Sequence, residues 1–460
     1  MITTLVLPGN LAPEIDRAAQ NDLETAGVLL ASLVTTPNGD VRLIGRSIHW
    51  VPDSAYLARK EDRLSIASHG YVPALAEAER LHAVPIWFHT HPGLNGWPEP
   101  SVADKGVDGD IADLFRMRAA SMFYGTLIVS PRKNGLAFTG ALYPEQGGPT
   151  PINRLWCLGE GWQLYQSLAL GAKEISPIFD RNVRAFGPAI QGIIGDLRIA
   201  IVGCGGTGSA VAEQLVRLGV RHLLLIDADT LTESNITRVY GSTVTSVGQP
   251  KVEVLRKHLL QIAPDLVCEV EKLMVTLEPA ARKLTSCDLV FGCTDDNAGR
   301  LVLSRLSTFY ATPVIDIGVL ISSDQTGNLT GIDGRITVLS PGAACLVCRN
   351  RVDMARAGVE LRTPEERKRL ADEGYAPALA GIEPAVVTFT SSVASAGINE
   401  LLDRLIGFGP MPRPSEVLLR WHDREISANI ALPNSGHYCD PEAHKIGIGD
   451  VTPFLEQTWP

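Results

Sequence analysis

One stretch restricts this chain more than any other: the apolar run Leu197-Arg-Ile-Ala-Ile-Val-Gly203 passes directly into Cys204-Gly205-Gly206-Thr207-Gly208-Ser209. The run reads as a buried strand, and a helical pattern over Gly208–Leu218 follows it. Glycines at such a turn let the backbone approach phosphates closely, and a helix N-terminus favours their negative charge. The rhythm continues. His222-Leu-Leu-Leu-Ile-Asp227 is a second strand, Lys251–Ile262 a helix, Cys287–Gly292 a strand and Thr312–Gly318 another. Apolar strands alternating with helices predict an α/β, Rossmann-like, mostly parallel sheet with helices on both faces.

That unit does not account for the whole chain. At 460 residues a single hydrophobic core is unexpected, and two or three domains are the prior. Residues 1–150 mix strands (Ala26–Val34, Val41–His49, Pro85–His89, Tyr124–Ser130) with a helical pattern over Arg63–Leu81, an α+β composition. Glu145-Gln-Gly-Gly-Pro-Thr-Pro151 reads as a domain boundary. Residues 151–177 are expected to form a helical connector, 178–445 the second domain with a long apolar helix over Glu383–Ile406 and a strand at Ser415–Trp421, and 446–460 a polar tail. The net charge of −10 and pI near 5.5 argue against nucleic acid as the main partner. No run reaches 18 apolar residues and the N-terminus lacks a basic leader, so no membrane association and a cytoplasmic location are expected. The eight cysteines are scattered apart from Cys345 and Cys348, which suits a metal clip better than a disulfide framework.

In the first region Phe88-His89-Thr90-His91-Pro92 closes an apolar strand. Histidines at i and i+2 project to one side of a strand, so both imidazoles can reach one Zn²⁺. Asp104, in Ser101-Val-Ala-Asp104, can add a carboxylate, leaving the fourth position for water as in catalytic zinc sites. Glu24 can act as the base for that water, and Ser101 can help hold an oxyanion. This set resembles the JAB/JAMM metalloprotease signature, a glutamate followed far downstream by H-x-H-x7-S-x2-D. Nine residues, two more than in that pattern, separate His91 from Ser101, and the extra ones fall in the loop Pro92–Pro100. The resemblance covers residues 1–145 and implies a cytidine-deaminase-like α+β fold and hydrolysis after the C-terminal glycine of ubiquitin-like proteins.

In the second region a glycine turn alone would also suit a dinucleotide-binding domain. Asn235-Ile-Thr-Arg238, Gly248-Gln-Pro-Lys251 and Cys293-Thr-Asp295 set it apart, because hydride transfer does not need Arg and Lys converging on phosphates, whereas adenylation of a carboxylate does. From Phe179-Asp-Arg-Asn182 to the last helix the motifs resemble the ThiF/MoeB family, whose fold is also that of the adenylation half of ubiquitin-activating enzymes. The resemblance implies that Gly203, Gly205, Gly206 and Gly208 frame the ATP phosphates and Asp229 holds the ribose, with Asp227 ordering the strand end. It implies that Asn235, Arg238 and Lys251 contact phosphates, that Asp295 holds Mg²⁺, and that Arg181 reaches the ATP site of a second subunit, hence a homodimer. A structural zinc is expected at Cys345, Cys348 and Cys439, with either His437 or His444 as fourth ligand.

The residues between Asn350 and Glu383 contain no thioester cysteine, Cys157 is a weak candidate, and transfer to an external thiol is expected. The combined reading is a bifunctional enzyme that cleaves after, and activates, the C-terminal glycine of a ubiquitin-like protein, with a conjugating enzyme or acceptor thiol protein as partner. Activation of a sulfur-carrier protein is the alternative, and a non-catalytic scaffold binding ubiquitin-like tails is a third.

Overall fold

The computed structural model describes residues 1–60, 64–93, 96–133, 135–170, 174–362, 365–366, 369 and 384–460. The chain forms two compact units: Met1–Lys173 with Ile446–Asp450, and Glu174–Lys445 with Val451–Pro460.

The N-terminal unit contains β1 (Thr3–Pro8), α1 (Leu11–Ala19), β2 (Ala26–Thr35), β3 (Val41–Trp50), the ribbon β4 (Tyr56–Arg59) and β5 (Leu64–Ile66), α2 (Val72–Leu81), β6 (Val84–Thr90), α3 (Val102–Ala119), β7 (Phe123–Arg132), β8 (Gly135–Pro144), β9 (Thr150–Pro151), β10 (Arg154–Leu158) and β11 (Trp162–Gln166). Among the described residues nine strands make one mixed sheet in the order β11-β10-β1-β3-β2-β6-β7-β8-β9. Its central strands are buried on both faces, which is why they read as continuous apolar runs. Leu29, Ile86 and Phe88 pack with Leu11 and Ile15 of α1 on one face. Val28, Leu30 and Trp87 pack with Leu75 of α2 and Phe115 of α3 on the other.

Four expectations are corrected here. The helix expected over Arg63–Leu81 begins only at Val72, because Pro73 belongs in a first turn; Leu64–Ile66 is a strand, and Arg63 lies outside the described residues. The helical connector over 151–177 is instead a hairpin, β10 against β11, around Leu158-Gly159-Glu160-Gly161-Trp162. Glu145–Pro151 is therefore no boundary: β9 adds to β8 and β10 lies parallel to β1. Residues 446–460 are not a polar tail, since Ile446–Asp450 belongs to the N-terminal unit and Phe454 and Leu455 are buried in the C-terminal one.

The C-terminal unit contains α4 (Asp180–Asp196), β12 (Arg198–Val202), α5 (Gly206–Leu218), β13 (His222–Ile226), α6 (Lys251–Ile262), β14 (Val267–Glu271), α7 (Glu278–Lys283), β15 (Leu289–Gly292), α8 (Asn297–Phe309), β16 (Val314–Ser323), β17 (Leu329–Leu339), α9 (Met354–Glu360), α10 (Val387–Ile406), β18 (Glu416–Arg420) and β19 (Glu425–Asn429). The sheet order is β14-β13-β12-β15-β16-β17-β18-β19. The first five strands are parallel and the last three pairings antiparallel, so the Rossmann-like expectation holds for the parallel half. The last helix starts at Val387; Glu383, its expected start, lies outside the described residues. No described helix is long and apolar enough to cross a membrane.

The β10–β11 hairpin buries Trp156 and Trp162 completely, their rings 6.3 Å apart. Trp162→Ala is expected to cost about 3–5 kcal/mol, read as a lowered urea midpoint for the N-terminal unit; a change under about 1 kcal/mol would show that the hairpin is not part of its core.

Candidate functional site

The first cluster is built by strand register. Pairing of Ala26 with His89 across β2 and β6 sets Glu24, just before β2, beside the end of β6. Cross-bonds between Thr25 and Thr90 (Thr25 N to Thr90 Oγ1, 2.9 Å; Thr90 N to Thr25 O, 3.0 Å) tie the two strand ends together. The His91 amide donates to Val129 O at 2.8 Å. His89 and His91 then face each other, Nε2 to Nε2, at 3.2 Å. Asp104 completes the triangle, with Oδ1 3.5 Å from His89 Nε2 and Oδ2 3.8 Å from His91 Nε2. A tetrahedral zinc with bonds of about 2.0–2.1 Å has ligand–ligand edges of about 3.3 Å, so these donors fit one ion. Glu24 is buried, its Oε1 3.9 Å from His91 Nε2.

Asp104 stands where it does because of a helix cap. Ser101 precedes α3, its hydroxyl accepts the Asp104 amide at 3.1 Å, and its own amide donates to Asp104 Oδ2 at 2.7 Å, a reciprocal capping box. Burial alone would raise the Asp104 carboxyl, but hydrogen bonding and charge from His89, with the two Ser101 bonds, hold it well below the usual carboxylate range. Burial, together with the neighbouring His89, lowers His91. Both shifts favour the metal-binding forms, a carboxylate and a neutral imidazole. Ser101 thus positions Asp104 through both of these hydrogen bonds.

The second cluster lies at the carboxyl ends of the parallel strands, where α/β sheets bind ligands. Gly203 has φ +89°, and a Cβ there would stand 2.6 Å from Cys293 O. A Cβ on Gly208 would stand 1.8 Å from Gly203 O. Gly205 is the N-cap of α5 and Gly206 its first residue. Asp227 accepts the amides of Cys204 (2.7 Å) and Asp229 (2.8 Å), so it orders the strand end as expected. Lys251 Nζ pairs with Asp229 Oδ2 at 2.7 Å, bringing together the residues expected for phosphate and ribose. Arg238 donates to Ser234 O at 2.8 Å and lies against Gly206, its Cδ 3.2 Å from where a Cβ would be. Asn235 Oδ1 accepts the Thr232 amide at 3.1 Å. Asp295 is exposed at the end of β15, while its neighbour Asp296 caps α8. Arg181 is exposed in the first turn of α4, and no described contact joins it to the other residues of this cluster.

A third cluster settles which histidine accompanies the cysteines. Cys345, Cys348, His437 and Cys439 offer donor atoms all within 4.8 Å of one another. Cys348 Sγ and Cys439 Sγ are 3.6 Å apart, Cys345 Sγ and His437 Nδ1 3.7 Å, and His437 Nδ1 and Cys439 Sγ 3.2 Å. With Zn–S bonds of about 2.3 Å, tetrahedral edges of roughly 3.6–3.8 Å are required. The Asn434 amide donates to Cys348 Sγ at 3.4 Å, and the hydrogen bond from Cys439 draws the Cys345 thiol down to about 5, towards a thiolate. His444, the other expected choice, ends the turn Pro441–Ala443 and does not join the cluster.

Of the remaining cysteines, Cys157, Cys204 and Cys287 are buried and Cys268 and Cys293 partly so. Burial pushes Cys157 in β10 and Cys268 in β14 up to about 12, and raises Cys204 and Cys293 as well. The weak expectation for Cys157 as a thioester nucleophile is therefore corrected, since such a thiol forms little thiolate at neutral pH. The signal for burial is the dense apolar run Leu155-Trp-Cys-Leu158, in a strand whose five residues are all buried.

A model of the ThiF family matches residues 179–433, more than half of the chain. The chain belongs to the ThiF family. It is 34% identical over 165 residues to the molybdopterin-synthase adenylyltransferase of Escherichia coli (strain K12), a match covering 35% of this chain and 62% of that protein. It is 30% identical over 230 residues to ubiquitin-like modifier-activating enzyme 5 of Oryza sativa subsp. japonica, covering 47% of this chain and 49% of that one. The chain thus spans about half to three fifths of the length of these relatives. The crystal structure of E. coli MccB aligns with a TM-score of 0.44 and 15% identity over 56% of this chain and 70% of that one.

Two outcomes are expected. Gly208→Ala must displace the Gly203 carbonyl and should destabilise the C-terminal unit by about 2 kcal/mol or more, seen in urea unfolding. In Co²⁺ titrations of metal-free protein followed by thiolate charge-transfer absorption, His437→Ala should weaken binding and change the spectrum, whereas His444→Ala should leave both as in the wild type.

Proposed function

We propose that the C-terminal unit adenylates the C-terminal carboxylate of a ubiquitin-like protein with ATP and Mg²⁺, and that the N-terminal unit is a zinc-dependent isopeptidase of the JAMM type acting on the same kind of tail. The observation that carries the reading is the presence in one chain of the Glu24, His89, His91 and Asp104 cluster and a ThiF-family turn accompanied by Arg238, Lys251 and Asp295. Relatives named for activating molybdopterin synthase and ubiquitin-like modifiers support the first half.

In the adenylation reading the substrate carboxylate attacks the α-phosphorus and pyrophosphate leaves. Positive charge is needed where negative charge gathers on the phosphates. Arg238 beside Gly206 and Lys251 beside Asp229 supply it, and Asn235 braces the turn that carries Arg238. Asp295 is the carboxylate for Mg²⁺. Arg181, exposed on α4, would act across a homodimer. Burial raises the thiols of Cys157, Cys204, Cys268 and Cys293, which favours passing the activated acyl group to a thiol on another protein. That feature suits both a conjugating enzyme and the sulfur-carrier alternative.

In the hydrolytic reading His89, His91 and Asp104 hold the metal and Ser101 fixes Asp104. Zinc held there would supply Lewis acidity and bring the pKa of a water towards 7. Glu24, beside His91, would serve as the base that moves the proton of an attacking water to the leaving amine.

The two halves are tested separately. With a candidate ubiquitin-like protein ending in glycine, ATP–pyrophosphate exchange should fall at least about a hundredfold in Asp295→Ala or Arg238→Ala. Cleavage of a C-terminal extension of that protein should fall about 10²–10⁴-fold in Glu24→Ala with zinc content unchanged, whereas His91→Ala should lose both activity and one zinc. Wild-type protein showing neither zinc nor exchange would support the scaffold reading instead.

A further inference from the structure

Beyond Gly318 the sheet carries charge that neither proposed reaction uses. A cavity of about 410 Å³ opens among β16, β17, β18 and the start of α8, and its wall includes Arg300, Arg335, Arg351, Arg420 and Asp333. Arg351 is answered by Glu416 at 3.2 Å and Arg420 by Glu425 at 3.0 Å. Arg300 and Arg335 share one carboxylate. Asp316, wholly buried, lies 3.6 Å from Arg300 Nε and 2.9 Å from an Arg335 terminal nitrogen. Two guanidiniums on one carboxylate leave a positive charge over, and the Nε atoms of both are buried without a hydrogen-bond partner. Asp333 makes no ion pair with any of the four arginines among the described residues.

Register locates this cavity. Val202 of β12 lies opposite Gly292 of β15, and Gly292 opposite Asp316 of β16. Asp316 is therefore level with the start of the Gly203 turn, one strand beyond β15. Arg300 donates to the Asp295 carbonyl at 3.5 Å, which joins the cavity wall to the loop proposed for magnesium. An extended polypeptide that left its C-terminus at the Gly203 turn and ran across the sheet ends towards β16 would pass this cavity. Guanidinium pairs recognise carboxylates through parallel N–H donors.

We propose that this cavity receives an acidic side chain of the substrate polypeptide, a few residues upstream of the carboxylate that is activated. The proposal rests on the adenylation reading for the identity of its ligand. Counting Asp333, four carboxylates match the four arginines, so the acid is met by the Arg300 and Arg335 pair that shares Asp316 rather than by a net positive wall. The cavity would then select among ubiquitin-like tails by charge, before any chemistry.

The test uses the full chain and fluorescein-labelled heptapeptides ending in Gly-Gly, with Glu, Gln or Lys placed in turn at each of the four preceding positions. Anisotropy is read without nucleotide. At one position the Glu peptide should bind at least about tenfold more tightly than the Gln peptide, as expected for one charge-assisted pair. Arg420→Gln and Arg300→Lys should abolish that preference. Arg420→Glu should shift it towards the Lys peptide, a gain that misfolding cannot produce. Equal binding of Glu and Gln peptides at every position, or no binding of any, overturns the proposal. So does displacement of the Glu peptide by inorganic phosphate as readily as by unlabelled peptide, which would mark a general anion site. Pyrophosphate exchange reports separately: a Glu preference without exchange removes the adenylation reading and leaves the cavity's acid selectivity, while exchange without a Glu preference removes the cavity proposal alone.

Discussion

A single steric contact governs the C-terminal unit. The Gly203 carbonyl occupies the space that any side chain at position 208 would need, 1.8 Å from the ideal Cβ. Only glycine at 208 allows α5 to begin so close to the end of β12, and only a residue at ease with φ +89° can make the turn at 203. With that contact go the aim of the α5 N-terminus, the approach of Arg238 to Gly206, and the close passage of Cys293, just beyond β15, against Gly203.

The N-terminal cluster rests on a different device. No special backbone is needed there, because strand alternation and one hydrogen-bonded register do the positioning. His89 and His91 face the same way as i and i+2 residues, and β2 delivers Glu24 to them because Ala26 sits opposite His89. A one-residue slip between β2 and β6 would send Glu24 to the other face. The core on both sides of the sheet opposes such a slip, since Val28, Leu29 and Leu30 are all fully buried.

Much of this was legible from the residues. The strand–turn–helix at Leu197–Leu218, the strands Ala26–Val34 and Val41–His49, and the grouping of His89, His91 and Asp104 all follow from local pattern and spacing. What was not legible depends on partners distant in sequence. The β10–β11 hairpin reads as helix because its apolar residues are dense, and only pairing with β1 reveals period two. β17 and the far half of β16 were missed because Gly318, Gly331, Asp333 and Gly334 break their apolar runs; the hairpin is instead held by Asp324, which accepts the Thr326 and Asn328 amides. The cavity arginines come from two strands, a helix and a loop, so no spacing announces them. His437 and His444 are equivalent by composition, and the choice between them is made by the left-handed turn at 444.

The dual engagement of Asp104 has a consequence for how this fold tolerates variation. Its carboxylate closes the first turn of α3 and faces the histidines, so the precision of the donor set is inherited from a helix end rather than from the loop before it. Insertions between His91 and Ser101 can lengthen that loop freely as long as the serine–aspartate pairing re-forms. Damage to the pairing, by contrast, would show as a displaced carboxylate, and so as a poorer donor set for any metal ion bound there.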